Sequence, residues 1–219
     1  MARRALPATA STLIALTAIA TLTLTACGGG GDAKSADIKG ADTGAATPTV
    51  SASAGSGQPD LSLPSDVHVE FDVTQPSDAR HAAALSSAKN YILALKHGIT
   101  AQDPKDPAYQ LYSLGNATKY AQKQIQAWVD GEWTATGTDS YYKARTDNVG
   151  GSRGVLVTMC RDQSKSYGKN VKTNKIKYTK ASLDDYQEFR LLMASPQDAQ
   201  KIWKVLQIEV QGRVKECQR

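Results

Sequence analysis

The composition of this chain changes near residue 60, and that change limits which part of it can fold. From Gly28 to about Asp60 the sequence is mainly Gly, Ala, Ser, Thr, Pro and Asp, and it contains no aromatic residue. Such a segment buries too little apolar surface to offset its ordering entropy, so we predict that it is disordered. A coil of ~33 residues spans roughly 30 Å. The remaining part, residues 61–219, is long enough for one domain with a hydrophobic core.

A short basic start and an apolar run lie ahead of that segment. Arg3 and Arg4 are followed, from about Thr12 to Ala26, by an uncharged stretch rich in Leu, Ile and Ala. The run has the length of a signal-peptide core and falls short of the ~20 residues that a spanning helix needs. Residues 1–26 are therefore predicted to be a signal peptide, with a membrane-spanning helix as the alternative.

The end of the apolar run, Leu24-Thr25-Ala26-Cys27, resembles the lipobox of bacterial lipoproteins. In that family the signal peptidase cuts before the cysteine, and the cysteine thiol carries a diacylglyceryl group. The resemblance implies that Cys27 is lipidated and that residues 27–60 tether the domain to the outer face of the cytoplasmic membrane. Two or more acyl chains give stable anchoring. The paired arginines leave both the general and the twin-arginine export routes open.

The charge balance argues against a nucleic-acid partner. The chain has 26 Lys and Arg against 21 Asp and Glu, a formal net charge of +5. Without Arg3 and Arg4 the excess falls to about +3, which is small for a nucleic-acid-binding domain.

The cysteines predict a redox state. With Cys27 assigned to lipid, Cys160 and Cys217 remain. In an oxidising compartment such a pair usually forms a disulfide, and two separate buried thiols are the alternative. The chain has no Cys-x-x-Cys motif and no histidine pair, so we predict no metal site and no cofactor.

Hydrophobic periodicity predicts one strand followed by three helices. Residues 67–73 alternate apolar and polar side chains, as in a half-buried strand. The first helix is capped by Ser77 or Asp78 and is expected to end at Gly98. The second is capped by Asp106, has Pro107 as its first residue and stops at Gly115, and the third is capped by Asn116.

The rest of the chain is rich in Thr, Tyr and β-branched residues and reads as strands joined by hairpins, with a turn at Leu183–Asp185. The order of strand, helices and then strands predicts an α+β domain, with N-terminal helices packed on a curved antiparallel sheet.

Four segments carry a resemblance to a known family: SAKNYILAL in the first helix, VTMCRDQSKS in a middle strand, KIWKVLQIEV in the last strand, and the C-terminal cysteine. With the lipobox, they resemble actinobacterial surface lipoproteins with a nuclear-transport-factor-2-like (NTF2-like, or SnoaL-like) domain. The resemblance covers residues 67–217 and implies a cone-shaped fold with a pocket between the sheet and the helices. No catalytic residue carries over by motif.

Several residues are candidates for the pocket. Tyr91, Trp128 and Trp203 are predicted to be pocket wall or core. Related enzymes place an Asp or His base beside a Tyr donor, but the residues available here form no recognisable dyad: Asp72, Asp139, Tyr91, Tyr141, Tyr142 and Tyr186. We interpret each of the three histidines, His68, His81 and His97, as a structural residue. No catalytic residue is therefore assigned.

The segment from Lys165 to Lys180 carries six lysines. It is predicted to be a hairpin with its turn near residues 166–168. It is either a basic surface for anionic lipid or wall polymer, or simply a solvated hairpin.

These features favour a non-enzymatic, lipid-anchored domain that binds a small ligand or a protein partner of the cell envelope. One alternative is an isomerase- or cyclase-type enzyme of the same fold that acts on a small hydrophobic molecule. The other is a structural accessory of an envelope complex.

Overall fold

The computed structural model describes residues 58–151, 153–197 and 201–219. The predictions for the signal peptide, Cys27 and most of the linker lie outside these residues. The helices and strands, in chain order, are β1 (Val67–Asp72), α1 (Ala79–Ala101), α2 (Pro107–Leu111), α3 (Gly115–Asp130), β2 (Trp133–Asn148), β3 (Val155–Asn170), β4 (Ile176–Lys177), β5 (Tyr186–Ala194) and β6 (Lys204–Gly212).

The strands form one sheet in the order β1-β2-β3-β5-β6, with the short β4 paired to the end of β3. Every pair is antiparallel except β1 and β2, which run parallel. The parallel pair follows from the chain order, because three helices lie between β1 and β2 and carry the chain back across the sheet. The predicted α+β class is confirmed.

The sheet is curved, and β2 contains two of the irregularities that bend it. Its pairing with β3 shifts register between Thr138 and Ser140, and again between Tyr142 and Arg145. Bulges of this kind bend a strand and increase its twist. At Gly137 the backbone has a φ of +88°, and an added Cβ would lie 2.1 Å from the carbonyl oxygen of Lys165. The helices pack on this sheet, an arrangement consistent with the predicted NTF2-like cone.

The first helix starts as predicted and ends later than predicted. Asp78 caps it by accepting a hydrogen bond from the backbone N–H of His81 at 2.9 Å. The helix passes through Gly98 and ends at Ala101, and its C-cap Gln102 adopts a left-handed conformation. Gly98 is an interhelical contact point, since a Cβ there would lie 2.5 Å from Ile125 Cδ1 on α3. The expectation that Gly98 ends the helix was therefore wrong.

Two other boundaries also differ from the expectation. Asp106 caps α2 as predicted, but Gly115 is the first residue of α3 and does not stop α2. Asn116 consequently lies inside α3 and does not cap it. Residues 166–168, the expected turn, continue β3 to Asn170, and the chain reverses direction between Asn170 and Lys175.

The predicted disulfide joins Cys160, in the middle of β3, to Cys217, in a short 3₁₀ helix after β6. It lies in a small second cluster on the other side of the sheet, with Tyr142, Tyr186 and Val214. The bridge fixes the C-terminal segment to the sheet and closes a loop with a sequence separation of 57 residues.

In the part of the chain that the structure describes, none of the helices has the length and hydrophobicity required to cross a membrane.

Candidate functional site

A cavity of about 230 Å³ lies between α1, α3 and the sheet. We call it the cone cavity. It is lined by residues of both helices and of four strands, namely Ile92, Leu95, Lys96, Ile99, Tyr120, Gln124, Trp128, Tyr141, Arg161, Gln163, Gln187, Phe189 and Val210. Its volume is slightly below the roughly 300–1,000 Å³ of typical ligand pockets, so it suits a small molecule.

The two helices contribute residues at helical spacing. Ile92, Lys96 and Ile99 of α1 recur at intervals of four and three and therefore lie on one face. Tyr120, Gln124 and Trp128 recur every four residues on α3 and are all half-buried. Because these α3 side chains are only half-buried, solvent reaches this side of the cavity.

The strands place a row of polar and aromatic side chains opposite the helices. Tyr141 of β2 pairs with Arg161 of β3, which in turn pairs with Gln187 of β5. Asp139 lies two residues before Tyr141, within the first register shift of β2. The bulge thus places the carboxylate of Asp139 next to this row of side chains.

Lys96, Asp139 and Arg161 form a buried charge cluster at the wall of the cone cavity. Arg161 donates two hydrogen bonds to Asp139 Oδ1, from Nε at 2.9 Å and from Nη2 at 2.6 Å. Lys96 Nζ forms a salt bridge with the other carboxylate oxygen, Oδ2. The side-chain exposures are 8% for Lys96, 1% for Asp139 and 17% for Arg161.

Two further contacts hold the guanidinium in place. Arg161 Nη1 donates a hydrogen bond to Gln187 Oε1 at 3.1 Å. The guanidinium carbon lies 5.9 Å from the centroid of the Phe189 ring. These contacts fix the plane of the guanidinium relative to the cavity.

The cluster shifts the titration of all three groups. Burial alone would raise the pKa of Asp139, but the charges of Arg161 and Lys96 outweigh it and hold that pKa below its ordinary value. Burial lowers the pKa of Lys96, and Asp139 offsets this only in part. Burial also acts to lower the pKa of Arg161, but Tyr141 and Asp139 raise it overall. Asp139 is therefore a carboxylate and Arg161 a cation at neutral pH.

The cluster carries more positive than negative charge when Lys96 is protonated. Asp139 can neutralise one of the two cations, and Arg161 makes the more extensive contact with it. Isolated buried charges are costly, and the second cation would be stabilised by an anion. The arrangement can bind an anionic group at one end of a cavity that is also lined by apolar side chains and by three glutamines.

The residues predicted to form the pocket wall lie in three different places. Trp128 lines the cone cavity. Tyr91 is fully buried in the core, and its hydroxyl donates to the carbonyl oxygen of Ala117 at 2.8 Å. Trp203 precedes β6 and lines a separate, wider cleft of about 680 Å³ together with Arg80 and Arg153.

Among the residues considered for proton transfer, Tyr141 lines the cone cavity, and Asp139 contacts the lining residues Lys96 and Arg161. Tyr142 and Tyr186 belong to the cluster around the disulfide, and the Asp72 side chain is 87% exposed.

The histidines lie away from the cone cavity lining. His68 is exposed, His81 contacts Thr146 Oγ1 at 2.9 Å, and His97 contacts the capping residue Asp106 at 2.6 Å. Among the described residues, no group of three His, Cys, Asp or Glu could hold a metal ion.

Sequence reasoning missed Lys96 and Arg161. Lys96 had a visible signal, because it interrupts the apolar face of α1 between Ile92 and Ile99. Arg161 had no such signal, since its role depends on a cross-strand register.

No protein-family model matches this chain, and no curated protein matches it. Among solved structures, it is similar to the intermembrane space region of the chloroplast protein ARC6, with 15% identity and a TM-score of 0.37 over 63% of this chain and 98% of that one. It is also similar to a "putative ketosteroid isomerase" from Shewanella frigidimarina NCIMB 400, with 14% identity and a TM-score of 0.31 over 60% of this chain and 97% of that one. At this level of similarity, neither neighbour's activity carries over.

Proposed function

We propose that this protein is a lipid-anchored extracytoplasmic domain that binds a small amphipathic molecule with an anionic group in the cone cavity. The observation that carries the proposal is the contact of two buried basic side chains, Lys96 and Arg161, with the single carboxylate of Asp139 at the cavity wall. The ligand's anionic group would face this cluster, and its apolar part would contact Ile92, Ile99 and Trp128.

The disulfide supports an extracytoplasmic location. Structural disulfides persist in oxidising compartments and are rare in the cytosol. Cys160 and Cys217 are bridged, in keeping with an exported protein anchored through Cys27 at the outer face of the cytoplasmic membrane.

The charge cluster favours binding over general-base catalysis. A general base works best when its pKa lies near the operating pH. Asp139 is held below its ordinary pKa by two cations, so it is a weak base at neutral pH. A carboxylate that acts as the base of an isomerase- or cyclase-type reaction works best with the opposite shift of its pKa.

The first test uses three six-carbon probes that differ only in the head group: hexanoate, 1-hexanol and hexylamine. The thermal unfolding midpoint of the chain from residue 28 to 219 is measured with each probe. A ligand that binds only the folded state stabilises it by RT ln(1 + [L]/Kd). Hexanoate should raise the midpoint more than hexanol, and hexylamine should not raise it.

Two matched variants make the result specific to the cavity. Lys96→Met should abolish the difference between hexanoate and hexanol. Lys119→Met removes an exposed lysine from α3 and should leave the difference unchanged. An equal response to all three probes, or a hexanoate effect that survives in Lys96→Met, would disprove the proposed binding mode.

A further inference from the structure

Residues 165–180 form a second surface, which is distinct from the cone cavity. We call this segment the basic hairpin. It contains six lysines and no acidic residue. Two lysines are paired, Lys169 with Asp66 at 2.5 Å and Lys172 with Glu132 at 2.5 Å. The other four, Lys165, Lys175, Lys177 and Lys180, are exposed and form no ion pair with any described residue.

Apolar side chains are exposed among these lysines. Tyr178 is 71% exposed, Val171 is 40% exposed and Ile176 is 36% exposed. The Tyr178 ring packs edge-on against Tyr167, with 4.9 Å between centroids. An aromatic ring with a polar tip, flanked by lysines, is the composition that favours the interface between a bilayer and water.

The tip of the basic hairpin is held in one conformation. Asn170 Oδ1 accepts hydrogen bonds from the backbone N–H groups of Lys172 and Thr173, at 3.2 and 2.9 Å. The backbone N–H of Asn174 also bonds to the carbonyl oxygen of Asn170 at 2.9 Å. The exposed side chains are therefore presented from an ordered turn, which reduces the entropy lost on docking.

The residue directly before β1 contacts this hairpin. Asp66, directly before β1, forms the ion pair with Lys169 and accepts a hydrogen bond from Thr136 at 2.9 Å. Asp66 thus lies at the end of the domain that carries the lysines. A tether that starts at a membrane would hold this end nearest to the lipid.

We propose that the basic hairpin docks on an anionic lipid bilayer. The unpaired lysines attract the negatively charged head groups, while Tyr178, Val171 and Ile176 enter the interfacial region. The docking orients the domain on the membrane in addition to any covalent anchor. The proposal is independent of the cone cavity, and its test does not involve a cavity ligand.

The test uses the chain from residue 28 to 219, which retains every residue that the structure describes and carries no lipid. Cosedimentation is measured with vesicles of phosphatidylglycerol mixed with phosphatidylcholine, and with vesicles of phosphatidylcholine alone. The triple variant Lys175→Gln, Lys177→Gln and Lys180→Gln is compared with a charge-matched control on other exposed sites, Lys119→Gln, Lys123→Gln and Lys215→Gln. Tyr178→Ser probes the apolar contribution. Thermal unfolding of each variant verifies that it is folded.

The unmodified chain should bind the anionic vesicles and not the phosphatidylcholine vesicles. Each lysine near a charged surface contributes about fivefold to affinity, so the hairpin triple variant should bind about a hundredfold more weakly. The control triple should bind within a few-fold of the unmodified chain. Tyr178→Ser should weaken vesicle binding and leave binding to soluble polyphosphate unchanged.

Three results would overturn the proposal. The first is an absence of binding to anionic vesicles. The second is equal weakening by the two triple variants, which would indicate attraction by net charge alone. The third is binding to polyphosphate as tight as binding to vesicles and insensitive to Tyr178→Ser, which would assign the hairpin to an anionic polymer.

Discussion

Replacing Lys96 by methionine separates the role of this lysine in ligand binding from a role in stability. Methionine keeps most of the length of the side chain and removes its charge. In the proposed site, Arg161 is the structural partner of Asp139, and Lys96 is the second basic group, which is available to a ligand. Lys96→Met should therefore leave the folded state nearly as stable as the unmodified protein, whereas Arg161→Met should not.

The magnitude follows from the contacts of each cation. Lys96 forms one ion-paired contact with Asp139, and a hydrogen bond to a charged group contributes about 1.5–3 kcal/mol. Its removal also relieves the desolvation of a buried ammonium, which costs on the order of several kcal/mol. The two effects nearly cancel, so the free energy of unfolding should change by no more than about 1 kcal/mol. Arg161 makes three hydrogen bonds, two to Asp139 and one to Gln187, and its loss should cost about 3–5 kcal/mol.

The assay is urea unfolding of both variants at neutral pH, followed by circular dichroism and by tryptophan fluorescence. Coincident transitions and an unchanged m-value would show that the free energies are comparable. Lys96→Met should unfold near the midpoint of the unmodified protein, and Arg161→Met should unfold at a clearly lower urea concentration. A loss of about 3 kcal/mol or more in Lys96→Met, equal to that of Arg161→Met, would show that Lys96 is a structural partner of Asp139 and would refute the reasoning.

Three further predictions concern the scaffold and the charge cluster. Substituting both Cys160 and Cys217 by serine should lower the free energy of unfolding by about 4 kcal/mol, measured in urea, and an unchanged midpoint would contradict this. Gly137→Ala should cost at least about 1–2 kcal/mol, because its φ is +88° and a Cβ would meet a backbone oxygen of β3. Gly212→Ala, where a Cβ has open space among the described residues, is the control and should be nearly neutral. The pKa of Asp139 is lowered in the folded state, where neighbouring cations outweigh the effect of burial. Its stabilising contribution is therefore present above its ordinary pKa of 3.8 and is lost as the pH falls through the folded value. Asp139→Asn should show a flatter decline of unfolding free energy in this acidic range, and an unaltered decline would assign the acid sensitivity to other groups.

Local patterns predicted those features of the fold that depend on neighbouring residues. The alternation in β1 and the caps Asp78 and Asp106 are properties of short segments, and all of them are observed. The order of a strand, helices and then strands was sufficient to predict the α+β class. The pairing of Cys160 with Cys217 followed from the cysteine content and the expected compartment.

The predicted ends of helices and strands were wrong where tertiary contacts outweighed the local sequence preference. A glycine near a helix end is a common stop signal, but Gly98 lies within α1. A glycine is needed there because Ile125 of α3 leaves no room for a Cβ. Likewise, Ser166 and Gly168 are residue types common in turns, and they led to the prediction of a turn at residues 166–168. They lie inside β3, and Gly168 packs against the Trp133 ring.

The charge cluster could not be assembled from the sequence. Lys96 lies on a helix, and Asp139 and Arg161 lie on two strands whose relative register is altered by a bulge. The contact between them depends on the placement of that bulge and on the packing of α1 over the sheet. A single lysine within the apolar face of α1 was the only local indication of a buried polar site.

The most direct test of the proposed function is an NMR titration of the isotope-labelled chain with hexanoate and, separately, with hexylamine. Hexanoate should shift the resonances of residues that line the cone cavity, including the Arg161 side-chain Nε–H and the Trp128 indole N–H. Lys96→Met should lose these shifts. Hexylamine should leave them unchanged. Shifts confined to the basic hairpin, or shifts in the cavity that are the same for the anion and the amine, would contradict the claim that this cavity recognises an anionic ligand.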